Sequence, residues 1–127
     1  MANRLESLLD AIASLKGFHN PDSYTYQIKN PLLIHSFARP GKHTTDAEGR
    51  RIFTSWLAGY KACLFDLEMK VSCRSSAGLT NRDKLSGLLR IYGLPDGLGH
   101  DQVVKFLRRA IKDQTITKDI ALEYFRD

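Results

Sequence analysis

A chain of 127 residues fits one domain and can bury a core without disulfide or metal staples. Its apolar share of 43% and charged share of 26% are those of an ordinary globular protein, and no apolar run approaches the ~20 residues that span a bilayer. The net charge of +5 is unevenly placed: residues 37–112 carry fourteen Lys/Arg against seven Asp/Glu, residues 1–36 three against three, and residues 113–127 two against four. Such a concentrated positive field favours nucleic acid or another polyanion as partner. The segment Met1–Glu6 has no apolar signal core, so a cytoplasmic protein is expected.

Leu5, Leu8, Leu9, Ile12 and Leu15 recur at helical spacing and predict a first helix from about Arg4 to Lys16, stopped by Gly17. Asn20-Pro21-Asp22 reads as a turn, and Tyr24, Tyr26 and Ile28 alternate with polar residues as in a short extended segment. Asn30-Pro31 looks like a cap followed by a first-turn proline, opening a short apolar helix with Leu32, Leu33, Ile34 and Phe37. Arg39-Pro40-Gly41-Lys42-His43 is a basic turn.

Thr45-Asp46-Ala47-Glu48 has the spacing of a capping box and predicts the longest helix, about Asp46 to Ser72. Ile52, Phe53, Trp56, Leu57, Tyr60, Cys63, Leu64, Leu67 and Val71 would form its core face, with Cys63 a buried free thiol. Arg50, Arg51, Thr54, Lys61 and Glu68 would be its polar face, and Phe65, which falls among them, is expected to be covered by a neighbouring element. After a loop from Cys73 to Asn81, a helix from about Arg82 to Tyr92 would bury Leu85, Leu88, Leu89 and Tyr92 and end at Gly93. A basic helix follows from about Asp101 to Asp113, and a short helix from about Lys118 to Phe125 offers Ile120, Ala121, Tyr124 and Phe125 to the core. The fold class predicted is all-α: a compact bundle of four to five main helices, one domain over 1–127, with an irregular tyrosine-containing segment near residues 18–30.

Lys105, Arg108, Arg109 and Lys112 sit at i, i+3, i+4 and i+7, so a helix lines all four along one row. Like charges at this spacing cost an isolated helix a few tenths of a kcal/mol per pair, which a bound anion would offset. A solvated helix face is the structural alternative, as are salt bridges to Asp119, Glu123 or Asp127. Arg39, Lys42 and His43, then Arg50 and Arg51, Lys61 on the long helix, and Arg74, Arg82 and Lys84 around the Ser/Gly loop extend the set of candidate phosphate contacts. Pairing with Asp46 or Glu48 competes for Arg50 and Arg51.

Catalytic readings find little. His19, His35, His43 and His100 are scattered, and no HExxH or CxxC spacing assembles a metal or cofactor site. Gly97-Leu98-Gly99 precedes a helix but lacks the third glycine and the strand of a dinucleotide loop. The two helices 82–92 and 101–113 suggest a helix-turn-helix regulator, but their connector exceeds the usual three or four residues and only Gln102 suits a base edge.

By its length, helical pattern, basic row Lys105/Arg108/Arg109/Lys112, basic turn Arg39–His43 and absence of catalytic groups, the chain resembles the small subunit of a CRISPR interference complex of the type I-D Cascade kind. That resemblance implies a non-catalytic protein present in several copies. They would stack between the large and backbone subunits, support guide–target pairing and hold the displaced strand. A free-standing DNA-binding regulator and a protein-only adaptor are the competing expectations.

Overall fold

The computed structural model describes residues 3–34, 44–46, 48–72, 79, 83–94 and 96–126. Among them run five α-helices: α1 (Arg4–Leu15), α2 (Tyr24–Gln27), α3 (Trp56–Val71), α4 (Leu85–Ile91) and α5 (Leu98–Ile111). A small antiparallel hairpin, β1 (Thr44–Thr45) with β2 (Arg51–Ile52), pairs Thr44 with Ile52 and Thr45 with Arg51. A 3-10 turn, Leu122–Phe125, follows α5. The class is all-α, as the hydrophobic periodicity predicts.

α1 is the central element because its apolar residues cover most of its circumference. Leu8, Leu9 and Ile12 are fully buried, and Leu5, Ala11 and Ala13 nearly so. It packs against α5, α3 and the 3-10 turn. Asn3 caps it by accepting the Glu6 N–H at 2.7 Å. At its other end the Gly17 N–H reaches the Ser14 carbonyl and the Phe18 N–H the Ala13 carbonyl, a Schellman closure that needs the left-handed backbone of Gly17 (φ 79). Gly93 (φ 81) closes α4 in the same way, with the Leu94 N–H on the Leu89 carbonyl at 3.0 Å. Both glycine stops therefore stand where the sequence places them.

Three local predictions are corrected. Residues 24–27 form a single helical turn, α2, rather than an extended segment, because Ser23 caps it by accepting the Tyr26 N–H at 3.3 Å. Alternation over so few residues does not separate one helical turn from a strand. No helix starts at Asn30-Pro31 either. Asn30 is fully buried, and its amide accepts the Ile34 N–H while donating to the carbonyls of Ile34 and Arg51 at 3.0 and 2.9 Å. The side chain folds residues 31–34 into a tight loop and pins that loop to β2; Phe37 lies outside the described residues.

The apparent capping box is a hairpin turn. Asp46 Oδ1 accepts the backbone N–H groups of Glu48 and Arg50 at 2.9 and 2.8 Å, and Gly49 adopts φ 83. Asp favours such local turns as readily as helix caps. α3 accordingly starts ten residues later, where Ser55 accepts the Ala58 N–H at 3.1 Å. Its core contact is a narrow seam, Gly59, Cys63, Leu67 and Val71. Trp56 is 39% exposed and Leu57 60%, which moves both off the predicted core face. Trp56 instead packs edge-on against Phe18 and Tyr26, centroids 5.0 and 4.3 Å away. Tyr60 and Leu64 are half-buried against the core. Cys63 is buried and free, and burial pushes its thiol up to about 12.

The last segment is pinned rather than helical along its whole predicted length. α4 has no side-chain cap; the N–H groups of Leu85 and Ser86 bond to the carbonyls of Ile120 and Lys118, each at 2.9 Å. The segment thus supplies acceptors to two of the orphan donors of that helix start. Ile116, Leu122 and Phe125 are fully buried beneath it.

Candidate nucleic-acid interface

α5 carries the candidate interface. Its inner face buries His100, Val103, Val104 and Leu107, which fixes the direction of the opposite side. Lys105, Arg109 and Lys112 are exposed there, and among the described residues none of the three has an ion-pair partner. The helix starts three residues earlier than predicted, at Leu98, because Gly97 (φ 87) makes the turn into it. It ends at Ile111, so Lys112 is the C-cap, in left-handed backbone (φ 63).

Asp113 is the acid nearest in sequence to this row, and it is occupied elsewhere. Its Oδ1 accepts the Thr115 N–H and hydroxyl at 2.9 and 2.6 Å, and its Oδ2 accepts the Tyr124 hydroxyl at 2.7 Å. Those donors hold its carboxyl down to about 2, so it stays ionised and turned away from Arg109. The C-terminal position of Arg109 is also favourable to the helix dipole.

Arg108 does not belong to the free row. Its Nε donates to the Ile116 carbonyl at 2.8 Å, and the side chain is half-buried. The turn after α5 brings that carbonyl under the guanidinium, so Arg108 ties the connector to the helix. Neither Arg108 nor Arg109 bridges to Asp119 or Glu123 among the described residues.

The other candidate residues separate into several groups. Arg50 sits in the hairpin turn, 2.6 Å from Glu48 Oε2 and 3.9 Å from Asp46 Oδ2, which favours the pairing alternative. The Arg51 guanidinium lies 4.8 Å over the Phe53 ring. Lys84 is the exposed N-cap residue of α4, 3.8 Å from Asp119 Oδ1. Lys61 is exposed on α3 one turn from each of Leu57 and Phe65, both also exposed; Phe65, at 64%, departs from the expectation that a neighbouring element covers it. Arg39, Lys42, His43, Arg74 and Arg82 lie outside the described residues. The structure thus places Lys105 and Arg109 on α5 with Lys112 at its C-cap, and leaves Lys61 on another helix.

Two cationic side chains missed in the sequence, Lys16 and Lys70, line a surface cleft between the ends of α1 and α4. Nothing local signals them, since one closes α1 and the other follows an ordinary acidic helix turn. Among the described residues no group of three or more His, Cys, Asp or Glu could hold a metal ion, and no helix is long and apolar enough to cross a membrane. Comparison of the chain with protein-family models, with curated proteins and with solved structures returned no match.

Proposed function

We propose that the protein is a non-catalytic nucleic-acid-binding subunit of a ribonucleoprotein assembly, gripping the phosphate backbone through Lys105, Arg109 and Lys112. The observation that carries this reading is a set of three exposed cations, without acidic partners among the described residues, along and at the end of a helix whose inner face is locked in the core. At 1.5 Å rise per residue the row spans about 10 Å, close to three phosphates at the ~3.4 Å axial rise of one strand. It offers point charges and no paired amides, which suits backbone contact better than base reading.

Leu57 and Phe65, exposed on α3, support membership of an assembly, because large apolar side chains left uncovered on one helix face suit a protein contact. The finer reading is a small subunit of a CRISPR interference complex, stacked in several copies along guide and target or displaced strand. Chain length, helical class and the free basic row support it. The helix-turn-helix alternative loses ground because α4 and α5 are not closely packed on each other among the described residues, as that motif requires.

Fluorescence titration of labelled single- and double-stranded oligonucleotides over a range of salt tests the proposal. With about three contacts, log K against log salt should slope on the order of −2 to −3, at roughly −0.7 to −0.9 per contact. Lys105→Gln, Arg109→Gln and Lys112→Gln combined should abolish most of that slope and weaken unrelated sequences equally. A slope near zero would reject phosphate binding and leave the protein-only adaptor, with α3 as its contact surface.

A further inference from the structure

A cleft of about 380 Å³ opens between the C-terminal ends of α1 and α4, the loop at residues 32–34 and the side of α3. Leu32, Leu33 and Ile34 form one apolar wall, and Ile91 and Tyr92 another. Three cations reach it: Lys16, Arg50 and Lys70. Two are already matched. Lys70 Nζ is 2.6 Å from Asp66 Oδ2 and 4.9 Å over the Tyr92 ring, and Arg50 is 2.6 Å from Glu48. Lys16 Nζ has neither an ion pair nor a hydrogen bond among the described residues. It lies beside Gly93, 3.7 Å from where a β-carbon would stand, which is ordinary contact distance and places the ammonium at the closure of α4.

We propose that this cleft binds a small organic anion, a single carboxylate on a short hydrocarbon body, with Lys16 as its cationic anchor. A half-buried ammonium that faces a second cation and, among the described residues, no acid but Asp66, which Lys70 and the Tyr92 hydroxyl already hold, is poorly solvated, and an incoming carboxylate supplies the missing partner. Burial, with Arg50 adding to it, lowers the Lys16 ammonium below the ordinary lysine range. One unmatched point charge suits one carboxylate rather than a polyphosphate, and the apolar walls favour hydrocarbon. The volume falls at the small end of ligand pockets, roughly 300–1,000 Å³. Leu33 supports the assignment, since it holds left-handed backbone (φ 56) in the cleft wall, a strained state for a branched side chain of the kind that collects at ligand clamps.

Calorimetric titration of the whole chain with octanoate, 1-octanol and inorganic phosphate tests this. Octanoate should bind at least tenfold more tightly than either of the others. Lys16→Met should weaken octanoate at least tenfold, and Lys16→Arg should restore most of the affinity. Because the folded Lys16 pKa is lowered, its charge costs stability at neutral pH, and stability is regained only as pH rises through the folded pKa toward 10.5. Lys16→Met should therefore keep or raise the melting temperature, so a loss of binding is not a loss of fold.

Octanoate affinity should also fall as pH climbs through that lowered pKa. Of the other groups facing the ammonium, Asp66 and Lys70 on α3 pair with each other, Arg50 pairs in the hairpin turn, and the Tyr92 hydroxyl, buried on Asp66, sits well above the ordinary phenol range. No octanoate binding, equal binding of octanol or phosphate, or unchanged affinity in Lys16→Met would each overturn the proposal.

Discussion

Arg108 and Asn30 show how one side chain changes role once its partners are known. A helical wheel places Arg108 in the basic row, but its hydrogen bond to the Ile116 carbonyl makes it structural. Arg108→Ala should therefore destabilise the fold by about 1–2 kcal/mol in urea melts, as for a partly exposed charged donor, whereas Lys105→Gln should change stability by less than about 0.5 kcal/mol. Asn30 was legible as a polar residue before a proline and thus as a helix cap. Its actual partners are four, twenty-one and thirty-three residues away, the last the Cys63 thiol, and no local pattern announces them. Asn30→Ala would take away the partner of the Ile34 N–H and of the Arg51 carbonyl, while the Ile34 carbonyl keeps the Arg51 N–H at 3.0 Å. The cost should be on the order of 3 kcal/mol in the same melts, since each buried orphan costs roughly 1–3 kcal/mol. A loss below about 1 kcal/mol would show that the loop at 31–34 is held by something else.

At the level of elements, α1, α4 and α5 were readable because each turns a clear apolar face inward and is closed by glycine or opened by one. α3 was readable in existence but not in extent. A turn-forming Asp46 with Gly49 and a capping Thr45 with Glu48 share the same residues, and Gly49 in the predicted first turn was the sign that favoured the hairpin. The wide apolar face read for α3 resolves into a thin seam because the helix meets the core along Gly59, Cys63, Leu67 and Val71, while Trp56 packs at the margin on Phe18 and Tyr26. Gly59 is where α3 meets the backbone of the loop after α2. A β-carbon there would stand 1.7 Å from the Lys29 carbonyl oxygen. Lys29 is itself fixed in left-handed backbone (φ 55) by the closure of α2, so the carbonyl has little freedom to retreat. Gly59→Ala should cost about 3 kcal/mol or more despite the ~1 kcal/mol by which Ala improves helix propensity, as overpacking against backbone does. Thermal melts check it; a variant as stable as the parent would mean α3 slides freely on α2.

For the molecule as a whole, acid should act through carboxylates that serve as acceptors. Asp113, held to about 2 by Thr115 and Tyr124, is depressed from 3.8, so its stabilising contribution is complete above 3.8 and disappears as pH falls toward 2. Asp46, lowered by the Tyr24 hydroxyl, and Asp96, lowered by Arg90, act in the same direction. The melting temperature should drop steeply between about pH 4 and 2, and Asp113→Asn should begin lower at neutral pH and drop less. Equal slopes for parent and variant would remove Asp113 from the acid transition. One consequence reaches beyond equilibrium. The Arg4 guanidinium lies 4.2 Å over the Tyr124 ring and donates to the Tyr124 carbonyl across 120 positions of sequence, and the same late segment supplies the carbonyls that satisfy the start of α4. Small helical proteins ordinarily fold quickly through local contacts. Here a nascent chain leaves the ribosome with the α5 side of α1 bare until that helix, which begins only at Leu98, has been made, and with the cover from the 3-10 turn coming later still. The order of synthesis thus runs against the order of assembly, and the time spent waiting is when a chaperone would be most needed.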